Sequence, residues 1–153
     1  MHPSCSPTLA ALALLVAMPA SAIAQDGDAV VVTATRQPQR ANELLSDVSV
    51  ITREEIEQAR PLQTLGELLA QEGGVEFSTL GGPGSSSSIY IRGANAGHTL
   101  LLIDGMRVGS ATLGQPDISA IPLGQVERIE ILKGPASSLY GADAIGGVIQ
   151  IFT

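Results

Sequence analysis

The chain has 153 residues, a formal net charge of −7 and only 3% aromatic residues. This acidic balance argues against a nucleic-acid partner, because phosphate binding needs a basic patch or stripe. The length suits one modest domain. Since the chain has no tryptophan, we expect a core of aliphatic side chains.

The first residues have the pattern of a secretory signal peptide. Residues 9–17 are apolar throughout, and the Ala-Ser-Ala-Ile-Ala run that follows fits the small-x-small spacing that signal peptidase cleaves. The apolar run is shorter than the roughly 20 residues that a membrane-spanning helix needs. We therefore expect residues 1–24 to be removed before Gln25. Cys5, the only cysteine, leaves with them, so no thiol or disulfide chemistry is predicted for the mature chain.

Residues 25–40 are predicted to be an extended segment followed by a polar linker. Four β-branched residues stand together at 30–33, which favours an extended conformation, and residues 36–40 are polar. The sequence offers no visible partner strand nearby. We expect this segment to lie outside the folded domain, which is assigned to residues 41–153.

Two capping boxes mark the helices of the first half of that domain. Thr52 with Glu55 predicts a helix over residues 53–58, after a strand at residues 48–51. Thr64 with Glu67 predicts a second helix through about Gln71. Its three leucines, at positions 65, 68 and 69, fall on one helical face and are expected to be buried.

Strands and Gly/Ser-rich loops dominate the rest. Asp104-Gly105 suits a type I′ turn, in which both central residues need φ > 0, and predicts a hairpin between residues 99–103 and 106–108. Residues 126–132 alternate in part, which predicts a strand with one buried and one polar face. Further strands are predicted at 75–77, 89–93 and 146–153, loops at 81–88 and 109–117, and a helical turn at 118–123 that Pro122 breaks. A short helix is predicted at 136–140, with Pro135 suited to the first helical position. The sum is a small α+β domain with a mixed sheet of four to five strands. Because the last strand is still open at Thr153, we expect more chain to follow.

No catalytic or metal-binding constellation is visible. The sequence has no Gly-x-Ser-x-Gly nucleophile elbow and no phosphate-binding loop. His98 is the only histidine after the signal peptide, and a metal cluster would need further His or Cys ligands. The acidic pair Glu54-Glu55 stands at a helix start, where it complements the helix dipole. We predict that the protein is not an enzyme and has no cofactor.

Four motifs in order carry a family resemblance. They are Ile-Tyr-Ile-Arg-Gly at 89–93, Leu-Ile-Asp-Gly-Met-Arg-Val at 102–108, the Val126–Pro135 run, and Leu-Tyr-Gly-Ala-Asp-Ala-Ile-Gly-Gly-Val-Ile at 139–149. Together they resemble the plug domain of TonB-dependent outer-membrane receptors, over about residues 28–153. Within that family the likeness is closest to cobalamin (vitamin B12) receptors, on the sequences at 25–26, 31–34 and 92–98. Two places depart from the family pattern. Residues 72–75 read Glu-Gly-Gly-Val where the family often has Pro-Gly-Val after the second helix, and Gln150 stands where Asn is frequent.

The resemblance implies a TonB box in the early segment. A β-branched segment on a linker can add as a strand to the sheet edge of a partner, held by main-chain hydrogen bonds. The alternative is that the segment is an edge strand of its own domain. The implied TonB-binding residues are Asp28, Ala29, Val30, Val31, Val32, Thr33 and Ala34.

The resemblance also implies a barrel and a ligand. In the family the plug fills a barrel of about 22 strands, supplied by the C-terminal part of the chain, whose inner wall is polar. The implied barrel contacts are Arg92, Glu127, Arg128, Glu130 and Lys133; the alternative for each is a solvated surface charge. The implied substrate contacts in outward-facing apical loops are Ser85, Ser86, Ser87, Leu113 and Gln115; the alternative is a spacer loop.

The function implied is gated nutrient uptake at the outer membrane. The plug would block a pore, contribute to a nutrient site outside, and be pulled by TonB from the periplasm. Cobalamin is the expected nutrient, and a ferric-siderophore or haem receptor plug is the alternative. A free-standing soluble periplasmic binding module and a small secreted hydrolase are the further hypotheses, and no catalytic constellation supports the hydrolase.

Overall fold

The structure, a computed structural model, describes residues 30–31, 33–43, 45–59, 64–82, 85–110, 115, 118–119 and 121–153. The predicted signal peptide lies outside these residues. The strands are β1 (Val30–Val31), β2 (Gln39–Arg40), β3 (Asp47–Ile51), β4 (Val75–Thr79), β5 (Ser87–Ile91), β6 (Thr99–Ile103), β7 (Met106–Val108), β8 (Arg128–Lys133) and β9 (Gly147–Phe152). The α-helices are α1 (Arg53–Gln58), α2 (Leu65–Leu69) and α3 (Ser137–Tyr140), and 3₁₀ turns lie at Ala41–Glu43, Ala96–His98, Leu123–Gln125 and Ala142–Ala144.

Five strands form the central sheet, in the order β3-β8-β9-β6-β7. Strand β6 runs parallel to β9, whereas the other neighbours are antiparallel, so the sheet is mixed. This confirms the predicted α+β fold with a sheet of four to five strands. The pairs β1–β2 and β4–β5 form two separate antiparallel ladders.

Both predicted capping boxes are present. The Thr52 hydroxyl accepts from the amide of Glu55, whose carboxylate accepts from the Thr52 amide at 2.7 Å. Thr64 and Glu67 make the same reciprocal pair, with the carboxylate 2.8 Å from the Thr64 amide. Helix α2 ends at Leu69, slightly before the predicted end, and its three leucines are buried as expected.

The β6–β7 hairpin turns through Asp104 (φ 47) and Gly105 (φ 82), the backbone conformation of the predicted type I′ turn. Asp104 also accepts two hydrogen bonds from Thr153, from its amide at 3.1 Å and its hydroxyl at 2.6 Å. These bonds tie the turn to the residue that follows β9.

The central sheet is covered on both faces. One face carries Ile129, Ile131, Ile149 and Ile151, which pack with α1, α2, β4 and β5. The alternate positions point the other way. There a second cluster is formed by Val31, Ala34, Leu100, Leu102, Leu132, Ala136, Ala144 and Val148. The prediction of a half-polar β8 is therefore wrong, because the N-terminal segment and the residues around α3 cover the face that was expected to be polar.

Three local predictions also differ from the structure. The helical turn expected at 118–123 is a single turn, in which the Ile121 amide donates to the Ile118 carbonyl at 3.4 Å. It does not continue through Pro122, which is extended (ψ 129), and a separate 3₁₀ turn follows at Leu123–Gln125. Helix α3 begins at Ser137, which leaves Pro135 outside the helix. Ser87 and Ser88 belong to β5, where they pair with Thr79 and Ser78, and not to a loop.

Candidate functional site

The N-terminal segment is docked on the domain. Strand β1 pairs antiparallel with Gln39–Arg40, so the expectation of an extended segment without a partner strand is wrong. The Val31 side chain is 0% exposed, and Thr33 and Ala34 are also buried. Asp28, Ala29 and Val32, the other residues of the implied TonB box, lie outside the described residues.

Thr33 is held by a buried carboxylate on β8. Its amide lies 2.8 Å and its hydroxyl 2.7 Å from Oε2 of Glu130, and both donate to that oxygen. The Glu130 side chain is 0% exposed, and its Oε1 lies 2.9 Å from the Arg128 guanidinium. Arg128 in turn lies over the Phe152 ring, 4.2 Å from its centroid. Hydrogen bonds to a charged acceptor are stronger than neutral ones, so Glu130 is the main polar anchor of the segment.

Tyr140, at the end of α3, holds Thr33 from the other side. Its hydroxyl donates to the Thr33 carbonyl at 2.8 Å. Arg36 lies over the Tyr140 ring, 4.5 Å from its centroid, within the range of a cation–π contact. Burial raises the pKa of the Tyr140 phenol, while the nearby Arg36 opposes that shift. Both main-chain groups of Thr33 are thus bonded to side chains of the domain.

The surface of the domain that the segment packs against is apolar. Val31 and Ala34 pack with Leu100, Leu132 and Val148 in the second core cluster. The segment therefore covers sheet surface that would otherwise face water.

Sequence reasoning missed Tyr140 and misplaced Glu130. The Ile129-Glu130-Ile131 sequence has the alternation of a strand with one buried and one exposed face, and this pattern predicts an exposed Glu130. The Tyr140 contact spans a separation of 107 residues, and no local pattern points to it.

The other implied barrel contacts differ in how far they reach the surface. The Arg92 guanidinium is about half exposed and donates to the Asp47 carboxylate. Lys133 is buried at 8% exposure, with its ammonium 3.7 Å from the Glu72 carboxylate. Glu127 is exposed and Arg128 half-buried. Because Glu130 lies wholly inside the domain, the prediction of an outward-facing Glu130 is wrong.

The second implied apical loop is bonded to strand β5. The Ser88 hydroxyl on β5 donates to the Gln115 side-chain oxygen at 3.1 Å, and within the loop the Ser110 amide donates to the Gln115 carbonyl at 2.9 Å. Ser85 is half-buried and Ser86 exposed, whereas Ser87 is only 8% exposed. Ser87 thus does not present its hydroxyl to the outer surface. Leu113 lies outside the described residues.

Within the described ranges, no three His, Cys, Asp or Glu side chains lie close enough together to hold a metal ion. In the same part of the chain, no helix is both long and apolar enough to cross a membrane. His98 is exposed at the 3₁₀ turn before β6.

Comparison with known proteins adds a family. The family model described as TonB-dependent Receptor Plug Domain matches residues 40–148. The vitamin B12 transporter BtuB of Vibrio vulnificus is 45% identical over 129 residues, which are 84% of this chain and 21% of that protein. BtuB of Photobacterium profundum is 43% identical over 150 residues, which are 95% of this chain and 24% of that protein. The chain thus spans less than a quarter of the length of these relatives.

Solved structures give the same likeness. The ferric enterobactin receptor PfeA of Pseudomonas aeruginosa, in complex with enterobactin, matches with a TM-score of 0.57 and 37% identity, over 69% of this chain and 17% of that chain. The siderophore receptor PirA of Acinetobacter baumannii matches with a TM-score of 0.56 and 32% identity, over 69% of this chain and 17% of that chain.

Proposed function

We propose that this chain, which belongs to the TonB-dependent receptor plug domain family, is the gate of an outer-membrane receptor for active uptake of cobalamin. The family consists of receptors and transporters, not enzymes. The observation that supports cobalamin as the nutrient is the sequence identity of 43–46% to proteins named vitamin B12 transporter, over 84–95% of this chain. In this proposal, residues 1–24 direct export, and a barrel formed by further chain surrounds the plug.

The proposed handle for energy input is the segment of residues 28–34. It pairs with Gln39–Arg40 through a ladder of only two residue pairs. It is attached to the domain through side-chain contacts at Thr33 and through the apolar packing of Val31 and Ala34. An extended, β-branched segment at a sheet margin can add to the sheet edge of a partner by main-chain hydrogen bonds. The partner proposed is TonB, acting from the periplasm, and nutrient binding outside would release the segment to it.

The proposed barrel contacts are the charged groups that reach the surface. Exposed or partly exposed charged groups could contact the polar inner surface of a barrel. They belong to Arg92, Glu127 and Arg128. Lys133 is largely buried and paired with Glu72, so a contact between Lys133 and the barrel would require this ion pair to rearrange. Glu130 is not proposed as a contact, because its side chain is 0% exposed.

The proposed nutrient contacts are Ser85 and Ser86 of the first Gly/Ser loop. They directly precede β5 in the chain, and Ser88 on β5 is bonded to Gln115 of the second loop. Cobalamin carries several amide side groups, and hydroxyl and amide side chains can hydrogen-bond to these.

A ferric siderophore is the second candidate nutrient. It is favoured by the likeness to the ferric enterobactin receptor, at 37% identity. The identity to the vitamin B12 transporters is higher, at 45%, which favours cobalamin. Binding of labelled cyanocobalamin and of labelled ferric enterobactin to outer membranes that contain the intact gene product separates the two.

The gating role is tested by a proline substitution in the segment. Val31→Pro removes an amide from the segment and should abolish cobalamin uptake into cells while membranes still bind cobalamin. Val31→Ala is the matched control, because it shortens the same side chain and keeps the amide; it should still take up cobalamin. Normal uptake by Val31→Pro would overturn the assignment of the handle.

A further inference from the structure

We infer that Glu130 and Tyr140 form a clamp on Thr33 that competes directly with the periplasmic partner for the same main-chain groups. The inference rests on the proposed function, since it takes the partner to bind this segment by strand addition. It adds a regulation of that binding that is built from side chains of the plug itself.

The first step is that the docked segment cannot offer Thr33 to another chain. The Thr33 amide is bonded to Glu130 at 2.8 Å, and the Thr33 carbonyl is bonded to Tyr140 at 2.8 Å. Strand addition uses the main-chain amides and carbonyls of the added segment. The clamped and the partner-bound states therefore exclude each other at this residue.

The second step is that the clamp depends on a buried charge. Glu130 receives two hydrogen bonds from Thr33 on one oxygen and an ion pair from Arg128 at 2.9 Å on the other. When Thr33 leaves, the Glu130 carboxylate loses the Thr33 amide and hydroxyl as donors, and water takes their place. Hydrogen bonds to a charged acceptor are among the most stabilising in a protein, net of the competing bonds to water, so the plug itself favours the docked state.

The third step is that the threonine hydroxyl distinguishes the two states. The hydroxyl donates to Glu130 at 2.7 Å in the docked state, whereas strand addition uses only the main chain. Removing the hydroxyl therefore weakens the clamp while leaving the groups that the partner needs. The apolar contacts of Val31 and Ala34 remain in such a variant, and they limit how far the released fraction can rise.

The strength of the clamp sets the affinity of the plug for the periplasmic partner. If the partner binds only the released segment, its apparent dissociation constant equals the intrinsic constant divided by the released fraction. A substitution that raises the released fraction then tightens partner binding by the same factor, as long as release remains rare. Loss of one hydrogen bond to a charged acceptor should change that fraction by about tenfold.

The experiment uses the intact gene product in isolated outer membranes, with a nitroxide spin label at Gln37→Cys. The position is exposed, and the only cysteine among residues 1–153, Cys5, lies in the predicted signal peptide. Any cysteine in the further chain is replaced by serine, so that the label is unique. The label should be immobilised in the docked state and mobile in the released state. The partner probe is the purified periplasmic domain of TonB, titrated onto the same membranes.

Thr33→Val should increase the mobile fraction about tenfold, and Tyr140→Phe, which removes a bond to a neutral carbonyl, about fivefold. Each should tighten binding of the TonB domain by the same factor as it increases the mobile fraction. Thr33→Ser keeps the hydroxyl and should restore the wild-type spectrum. Glu130→Ala should show the largest increase in the mobile fraction. If Glu130→Ala does not fold, Thr33→Val still tests the clamp, because Thr33 lies outside the central sheet. The matched control is Glu76→Gln, an exposed carboxylate on β4 that should change neither readout.

Two results separate this inference from the proposed function. Unchanged spectra and unchanged affinity in Thr33→Val and Tyr140→Phe, with TonB binding intact, would overturn the clamp and leave the proposed function standing. Mobile spectra without TonB binding to any variant would overturn the proposed partner, and with it the competition. Mobile spectra without a gain in affinity would overturn the competition alone.

Discussion

A single methyl group at Gly147 tests how tightly the central sheet is built. Gly147 opens β9 and is paired with Lys133 on β8 and Thr99 on β6. A Cβ atom there would lie 2.4 Å from the Leu132 carbonyl oxygen and 2.7 Å from the Ile91 Cδ1 atom. Its φ is not in the left-handed region, so the effect of Gly147→Ala is steric.

The expected loss of stability follows from what can move. The Ile91 methyl group can rotate away, but the Leu132 oxygen belongs to the β8 main chain, which is fixed by ladders on both sides. Overpacking of this kind costs about 1–3 kcal/mol. Since the whole domain is stabilised by only about 5–15 kcal/mol, Gly147→Ala should unfold at a clearly lower urea concentration than the wild type.

Equilibrium urea unfolding of the purified chain, followed by far-ultraviolet circular dichroism, measures the difference. Gly124→Ala is the matched control, because a Cβ there meets nothing within 4 Å and the residue is exposed. The control should be within about 1 kcal/mol of the wild type, in either direction. A Gly147→Ala midpoint equal to that of the control would refute the packing argument for β8 and β9.

Three further predictions concern the helix caps and titrating groups. Thr64→Ala removes one half of a capping box and should lower the free energy of unfolding by about 1 kcal/mol in urea melts; no change would contradict the cap. The pKa of Asp104 is lowered by the Thr153 hydroxyl and then by its amide, so this stabilisation is fully present above the unfolded-state value of 3.8 and is lost as the pH falls through the lower folded-state value. Asp104→Asn should therefore make unfolding stability less dependent on pH in acid, and an unchanged dependence would contradict the assignment. Arg36→Ala should raise the pKa of Tyr140 further, measured by phenol absorbance in a background without the other tyrosine; a fall would contradict the contact between Arg36 and the ring.

Local chemistry explains what could be predicted from the sequence. The capping boxes at Thr52 and Thr64 and the type I′ turn at Asp104 are set by residues that are close in sequence. The buried leucine face of α2 follows from helical spacing. These features need no knowledge of the rest of the chain.

Long-range packing explains what could not be predicted. Glu130 reads as an exposed residue of an alternating strand, and only the docking of Thr33, which lies 97 residues away, makes it a buried acceptor. The sequence predicts no partner strand for the docked segment, because the β1–β2 ladder is only two residues long. Composition alone predicts a loop at Ser87, but its pairing with Thr79 extends the β4–β5 hairpin past that boundary.

We propose that nutrient binding outside releases the segment inside, and thiol labelling at Ala34→Cys measures that release. Ala34 is only 7% exposed in the docked state, so a maleimide should react slowly with a cysteine at this position. In outer membranes that contain the intact gene product, added cyanocobalamin should speed the reaction, and ferric enterobactin should not. A labelling rate that is the same with and without cyanocobalamin would contradict the account.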